Sequence, residues 1–318
     1  MKPFLTGLCT CLLMILTGCT KDSSQFIASP LSDTAWVQQI LPANAIAHLS
    51  DTLHINPVSD SVNLLLGDTA TLSGIQYVFP AGGWETETGV AFQGTALLQD
   101  LLLQKPGDWI RNFVSTSYQG KPIQTSAVVY FNVSSGSETL KPTSQVLVTF
   151  PVSNPSQTDS LFSGSYTDNT LQWSGTIPGV YGSRGKTNVD GFVQYAQTFG
   201  TQQTGWLMSG MESSDSLNNG SKLVVVLPNQ FSNANSAVFC LLKDLPAVVM
   251  LTGDYSTRTF IGSNLPVGAT ANIITLTFTG NSFYLGTQTL TLENGAVAVS
   301  VNPSLATLPS LIQYLQQL

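Results

Sequence analysis

The chain has 318 residues, of which only 9% are charged, against about 25% in an average soluble protein. Its 11 basic and 18 acidic residues give a formal net charge of -7, and the basic residues are scattered along the chain. Because binding to a phosphate backbone needs clustered Lys and Arg, this composition excludes a nucleic-acid partner. The length allows two ordinary domains, each with a core of its own.

The start of the chain has the pattern of an exported protein. An uncharged apolar run from Leu8 to Leu16 is too short to cross a bilayer. The sequence Leu16-Thr17-Gly18-Cys19 resembles the lipobox of bacterial lipoproteins, in which cleavage before the cysteine is followed by its acylation. This resemblance implies a signal peptide over residues 1–18, a lipid anchor on Cys19 and, from Thr20, a place at the outer membrane. The alternative is an ordinary signal peptide with an incidental cysteine.

Cysteine usage excludes an intramolecular disulfide in the exported chain. Cys9 and Cys11 leave with the signal peptide and Cys19 carries the lipid, so only Cys240 remains. Cys240 lies in the apolar, strand-like run Ala237–Leu242. It is therefore predicted to be a buried, unreactive thiol rather than a nucleophile.

The first half of the chain changes from a tether to a strand pattern. Residues 19–57 form a lipidated, Ser-rich tether and lead-in, with a short helix predicted over Trp36–Leu41 because a proline follows. Residues 58–165 predict a first β-sandwich, since apolar residues recur at every second position, as in residues 127–133. The leucine-rich run Ala96–Leu103 also suits a helix face, but the family resemblance described below favours a strand.

The second half repeats the strand pattern. Residues 166–220 are rich in Gly, Ser, Asn and Asp, and are predicted to connect two domains through short strands. Residues 221–302 alternate again and predict a second β-sandwich. Residues 303–318 predict a helix, because Pro309 suits a first helical position and apolar residues share one face. The predicted fold class is all-β, with two antiparallel β-sandwich domains and a short C-terminal helix.

Several short motifs lie in these strands and turns: Ile75–Ala81, Gly89-Val90, Gly136–Leu140, Val146–Pro151, Trp173, Gly205-Trp206 and Leu265–Gly268. Most of them resemble a poorly characterised family of outer-membrane lipoproteins from Bacteroidota-type bacteria. The last is similar to a turn of transthyretin-like, carboxypeptidase-regulatory-like domains. Gly82-Gly83 stands where the family usually has asparagine, so that turn is expected to differ. The resemblance implies a β-sandwich fold and an envelope location, and it brings no catalytic residues.

Residues that catalysis uses are scarce and dispersed. His48 and His54 are six positions apart, not the four that place two imidazoles on one helical face for zinc. The run Gly179–Thr187 has one residue too many between its glycines for a phosphate loop and is predicted to be a solvent loop. Glu85 and Glu87 come nearest to a glycosidase pair, but a solvated turn is favoured. The sequence therefore predicts a protein that is not an enzyme, with no metal or cofactor.

Tryptophan raises the question of carbohydrate binding, because exposed aromatic rings stack on sugars. Trp84 and Trp109 are the candidate sugar-binding residues. The alternative is that these rings fill the cores of the sandwiches.

Six Asp-Ser or Asp-Thr pairs resemble the acceptor sites of general O-glycosylation in the same bacteria. The candidate acceptors are Thr34, Thr52, Ser61, Thr69, Ser160 and Ser216. The alternative is local turn formation, in which the Asp and hydroxyl side chains bond to the nearby backbone.

Two functions remain after these exclusions. The leading prediction is a noncatalytic lipoprotein of the outer membrane, anchored through its lipid, that presents a binding or scaffolding surface. The alternative is a carbohydrate-binding accessory protein or glycosidase of an outer-membrane polysaccharide system. Trp84, Glu85, Glu87 and Trp109 would then form the site. Whether the two tryptophan rings are exposed or buried discriminates between the readings.

Overall fold

The computed structural model describes residues 35–152, 159–167, 170–177, 183–189, 192–212 and 220–318. Within these ranges the chain forms four β-sheets and three helices, so the prediction of an all-β, sandwich-type fold with a short C-terminal helix is confirmed. The predicted signal peptide, Cys19, Thr34 and Ser216 lie outside the described residues.

Sheet 1 is the largest. Its long strands are β1 Val58–Asn63, β5 Thr95–Leu103, β7 Lys121–Ser135, β10 Ser160–Thr167, β11 Thr170–Thr176 and β14 Gly205–Glu212. They lie side by side in the order β1-β5-β7-β14-β10-β11. Three short strands extend the β7 side of the sheet: β4 Trp84–Thr86, β6 Ser117–Tyr118 and β8 Glu138–Pro142. The leucine-rich run that also suited a helix is strand β5, as predicted.

Sheet 2 packs on one face of sheet 1. Its strands are β2 Asp68–Leu72, β3 Ile75–Phe79, β9 Val146–Val152, β12 Ser183–Val189 and β13 Phe192–Thr201, in the order β12-β13-β9-β3-β2. Strands β11 to β14 come mostly from residues 166–220, which were predicted to connect two domains. They are instead paired members of sheets 1 and 2, and β14 lies between β7 and β10. Strand β12 also corrects the prediction of a solvent loop over residues 179–187, whose first four residues lie outside the described part.

Sheets 3 and 4 form the second half. Sheet 3 contains β15 Ser221–Val226, β18 Thr252–Asp254, β19 Thr259–Leu265 and β22 Ala296–Ser300, in the order β18-β19-β15-β22. Sheet 4 contains β16 Ser236–Leu242, β17 Ala247–Met250, β20 Thr270–Thr279, β21 Ser282–Thr291 and β23 Ser304–Ala306, in the order β17-β16-β20-β21-β23. Strands β15 and β22 run parallel, which departs from the predicted antiparallel pairing.

The helices are α1 Ala45–Leu53, α2 Pro106–Arg111 and α3 Leu308–Gln316. The prediction of a helix over Trp36–Leu41 is wrong, because the helix begins only after Asn44, whose side chain accepts a hydrogen bond from the Leu41 backbone N–H at 2.7 Å. Helix α1 buries its one apolar face. Helix α3 has a capping box in which Thr307 and Ser310 bond reciprocally to each other's backbone N–H, as favours a helix start.

Three apolar cores hold the four sheets together. One lies between sheets 1 and 2, and another between sheets 3 and 4. A third, which we call the middle core, joins the remaining faces of sheets 1 and 4 and includes all three helices. Within it Val128 and Met208 of sheet 1 belong to the same buried cluster as Phe239 and Ile274 of sheet 4. The two predicted sandwiches therefore share a buried core across residues that the sequence assigned to separate domains.

Candidate functional site

An open cleft of about 890 Å³ lies where sheets 1, 3 and 4 meet. Strands β17, β18 and β19 contribute Val249–Gly253 and Phe260–Ser263. The rest of the lining includes Thr170–Gln172 of β11, Ser115 and Ser117, and Gln38–Ile40 of the lead-in. Cavities of this size hold small molecules or short segments of a polymer.

The cleft exists because one continuous stretch of chain passes from sheet 4 into sheet 3. Strand β17 pairs with β16, and two residues later β18 pairs with β19. Leu251 between them donates its backbone N–H to Val238 O at 2.8 Å, which fixes the corner. Strand β18 pairs with β19 only over Thr259–Ile261, so the rest of β19, up to Leu265, has no partner in β18. Strands β17 and β19 line the cleft together with β11, an edge strand of sheet 1.

The edge of β17 is already satisfied by hydroxyl groups. Thr116 Oγ1 accepts from the Val248 N–H at 2.8 Å, and Ser115 Oγ accepts from the Met250 N–H at 3.1 Å. Since these groups occupy the edge, β17 offers no free backbone to a further strand. Of these two residues Ser115 lines the cleft, whereas Thr116 is buried.

The lead-in is fixed at the rim of the cleft. The Asn233 side chain accepts from the Val37 N–H at 2.9 Å and donates to Val37 O at 2.7 Å. Ser232 Oγ donates to Ala35 O at 3.1 Å, and the Trp36 ring packs on Phe260 with centroids 5.1 Å apart. These contacts bring the described start of the chain to the cleft.

The cleft is electrically neutral. Its polar lining consists of Ser and Thr hydroxyls and of Asn and Gln amides, and none of the residues that the structure places in the lining has an ionisable side chain. Such a surface donates and accepts hydrogen bonds, but it holds neither a general acid or base nor a charge that could neutralise an ionic ligand.

The structure corrects the prediction that Trp84 and Trp109 bind sugar. Their side chains are 1% and 0% exposed, so neither ring has a face available for stacking. Trp84 packs beside Phe79 in the core between sheets 1 and 2, with ring centroids 5.9 Å apart. Trp109 lies in the middle core and donates its indole N–H to Leu103 O at 3.1 Å. The alternative reading, that these rings fill cores, is the correct one for both.

The candidate acids and histidines do not gather into a site. Glu85 lies on β4 opposite Lys141, and Glu87 is exposed in the following turn. His48 packs on the Phe278 ring at 4.8 Å, while burial lowers the pKa of His54. Among the residues that the structure describes, no three His, Cys, Asp or Glu side chains are placed to hold a metal ion.

Cys240 is buried, as predicted, with no exposed surface. Burial raises the pKa of its thiol to about 12. The thiolate is the reactive form of cysteine, so this side chain is unreactive at neutral pH.

Four of the six predicted O-glycosylation sites lie in the described part of the chain. Thr52 is in α1, Ser61 in β1, Thr69 in β2 and Ser160 in β10, so none of them is in a turn. The last three are exposed, whereas the Thr52 hydroxyl is half-buried and donates to His48 O at 2.8 Å. The local bonding of the alternative is nevertheless present, because Asp60 and Asp68 accept hydrogen bonds from the Ser61 and Thr69 backbone N–H groups, each at 2.7 Å. Glycosylation of the four residues stays a prediction.

A scan against protein-family models found no match to this chain, and a search of curated proteins found no similar sequence. None of the helices in the described residues is long and apolar enough to span a membrane. The cleft was not predicted, because its lining comes from short segments that are far apart in the sequence. The function therefore has to be inferred from the chemistry of the cleft.

Proposed function

We propose that the protein is a noncatalytic lipoprotein of the outer membrane that binds an uncharged, hydrogen-bonding ligand in the cleft. The observation that carries this proposal is the lining of the cavity of about 890 Å³. The lining residues that the structure describes offer hydroxyls, amides and apolar groups, and none of them has an ionisable side chain. A charged ligand would lose its hydration there without gaining an opposite charge. A neutral ligand would exchange its hydrogen bonds with water for bonds to the lining.

The alternative of a glycosidase has no support in the site. Glycoside hydrolysis uses two carboxyl groups that flank the scissile bond, and none of the described residues that line the cleft is Asp or Glu. Carbohydrate binding without hydrolysis is favoured by a different surface, which is described in the next subsection.

The lipid anchor on Cys19 and the outer-membrane location belong to the same proposal. They are supported by the lipobox and by the resemblance to envelope lipoproteins. The lead-in that would continue from the anchor is bonded at Asn233, on the rim of the cleft. The described part of the chain therefore begins beside the cleft.

We expect Ser263→Trp to block the cleft. Ser263 is exposed and lines the cavity, so an indole at this position fills the mouth without disturbing a core. The measurement is the melting temperature of the full-length protein in detergent with neutral trisaccharides, blocked uncharged tripeptides, and charged analogues of both. At least one uncharged probe should raise the melting temperature, and the variant should lose affinity by about tenfold or more.

The matched control is Ser300→Trp, an exposed serine at the end of β22 in the same sheet and outside the cleft. It should bind as the wild-type protein does. Stabilisation by charged probes alone, or equal binding by the Ser263→Trp variant, would contradict the proposed function.

Cys19→Ser should move the protein from the membrane to the soluble fraction of the envelope. The substitution removes the thiol that would carry the lipid, and no helix among the described residues could replace the anchor. Cell fractionation together with the mass of the N-terminal peptide measures the effect. Cys11→Ser, within the signal peptide, serves as the control and should leave anchoring unchanged. A Cys19→Ser protein that stays in the membrane would show that the anchor has been misassigned.

A further inference from the structure

Three aromatic rings meet on sheet 1 at the border of the middle core. Trp206 of β14 lies opposite Tyr130 of β7, and their ring centroids are 5.2 Å apart. Tyr166 of β10 meets the edge of the same indole at 6.5 Å, nearly perpendicular to it. Trp206 is only 8% exposed, Tyr130 is half-buried and Tyr166 is 56% exposed. The buried indole thus holds two tyrosines at the margin of the core, where they reach solvent.

The same face of sheet 1 continues as a row of amides and hydroxyls. Gln99 and Asn132 are paired in register on β5 and β7, two positions along from the pair Leu101 and Tyr130. Side chains two positions apart on a strand share a face and lie about 7 Å apart. Both amides are half-buried, and neither has a hydrogen-bond partner within the part of the chain that the structure describes. We call Gln99, Tyr130, Asn132, Tyr166 and Trp206 the aromatic face.

The register neighbours of Gln99 and Asn132 on the aromatic face are uncharged. The next residues on it are Ser59, Ser61, Leu97 and Ser134, which the register places beside Gln99 and Asn132. Burial raises the pKa of Tyr130 and of Tyr166, so both hydroxyls stay protonated at neutral pH. The face therefore combines apolar ring surface with free amide groups and carries no charge.

We propose that the aromatic face binds sugar rings of a neutral polysaccharide. A pyranose presents C–H groups on one side and hydroxyls around its edge, so it matches aromatic surface that is bordered by amide donors and acceptors. Tyr166 offers the exposed ring, and Gln99 and Asn132 offer the unused hydrogen bonds. The absence of charge among these residues disfavours anionic glycans, which need Lys or Arg.

The aromatic face is a separate site from the cleft, although the two are neighbours. Tyr166 is paired in register with Leu171, which lines the cleft. The residues that carry the two sites differ, so each can be changed alone. Ser263→Trp, which blocks the cleft, should leave binding to the aromatic face intact.

The test is affinity electrophoresis of the full-length protein in non-ionic detergent. The gels contain a neutral β-glucan, xylan, mannan or α-glucan, with alginate and heparin as anionic controls. We expect at least one neutral polysaccharide to retard the protein. Tyr166→Ala should weaken that affinity by about tenfold, whereas Tyr166→Phe, which keeps the ring, should retain most of it. Asn132→Ala should weaken binding by a smaller factor.

Tyr255→Ala is the matched control, because Tyr255 is 50% exposed and lies in the turn between β18 and β19. It should bind as the wild-type protein does. Three results would overturn the proposal: no retardation by any neutral polysaccharide, equal binding by the Tyr166→Ala variant, or preference for the anionic polymers. Self-association that Tyr166→Ala abolishes, without glycan binding, would also overturn it and would assign the face to a protein contact.

Discussion

Trp109→Ala should lower the free energy of unfolding by about 3–5 kcal/mol, the usual cost of removing a buried tryptophan side chain. Trp109 has no exposed surface, belongs to the middle core, and makes a hydrogen bond of 3.1 Å to Leu103 O. The variant loses the burial of the ring, leaves a cavity, and leaves the carbonyl without this donor. Urea titration followed by circular dichroism measures the change.

Three further variants serve as comparisons for Trp109→Ala. Tyr255→Ala removes a half-exposed ring from a turn and should change stability by less than about 0.5 kcal/mol. Trp84→Phe should cost less than Trp109→Phe, because the Trp84 indole N–H has no hydrogen-bond partner in the described structure. A Trp109→Ala protein as stable as the wild type would contradict the burial of this ring. Loss of glycan binding in that variant would reflect unfolding and would say nothing about a sugar site.

The strands could be predicted because the chemistry that forms them is local. Ile75, Tyr77 and Phe79 of β3 are buried while the residues between them are exposed, as their alternation indicates. The Ala96–Leu103 run was ambiguous because β5 is covered on both faces from Leu101 onward. Leu98 points into the core with sheet 2, and Leu101 and Leu103 point into the middle core. A strand with two buried faces loses the alternation that distinguishes it from a helix.

The middle core could not be predicted, because alternation shows which face of a strand is apolar but not what covers it. Strand β16 is buried at every position, which indicates layers on both sides. Nothing in the sequence states that the second layer is sheet 1 with three helices. The cleft follows from the same arrangement, since it opens where sheets 1 and 4 separate beside sheet 3.

The aromatic face shows the same limit at the level of single residues. The sequence shows that residue 206 is a tryptophan, but it does not predict that Tyr130 and Tyr166, which belong to other strands, pack against it. The composition of a strand does not specify its neighbours in a sheet whose order departs from the chain order. The sequence did not show exposure either, because four of the five tryptophans are buried while Tyr166 presents its ring to solvent.

A buried carboxyl group links sheets 1 and 2. Asp100 of β5 has no exposed surface. It accepts hydrogen bonds from Ser73 Oγ at 2.7 Å and from the Tyr77 hydroxyl at 3.2 Å, and both donors belong to the β2–β3 hairpin. Burial raises the pKa of Asp100, and the two hydroxyl donors offset part of that rise. The carboxylate thus depends on neutral donors for its stabilisation.

The raised pKa makes stability depend on pH in a defined direction. Below the ordinary pKa of aspartate, Asp100 is protonated in both the folded and the unfolded protein and costs nothing. As the pH rises through that value towards the raised pKa, the unfolded chain releases this proton first, and the contribution of Asp100 to folding becomes less favourable. Asp100→Asn should remove this component. The unfolding free energy of the Asp100→Asn variant should therefore rise relative to that of the wild type between pH 4 and pH 7.

Tyr77→Phe tests whether the hydroxyl supports the ionised form of Asp100. At pH 7 the variant should lose about 1.5–3 kcal/mol, the value of a hydrogen bond to a charged group. At pH 4 the loss should be smaller, towards about 0.5–1.5 kcal/mol, because burial raises the pKa of Asp100 and more of its side chain is protonated there than at pH 7. In the Asp100→Asn background the same substitution should cost the smaller amount at both pH values, which serves as the control. Urea titrations of the wild type, the two single variants and the double variant at each pH measure the coupling between residues 77 and 100. If Tyr77→Phe costs the same at both pH values and with either residue at position 100, Asp100 is not charged in the folded protein at pH 7.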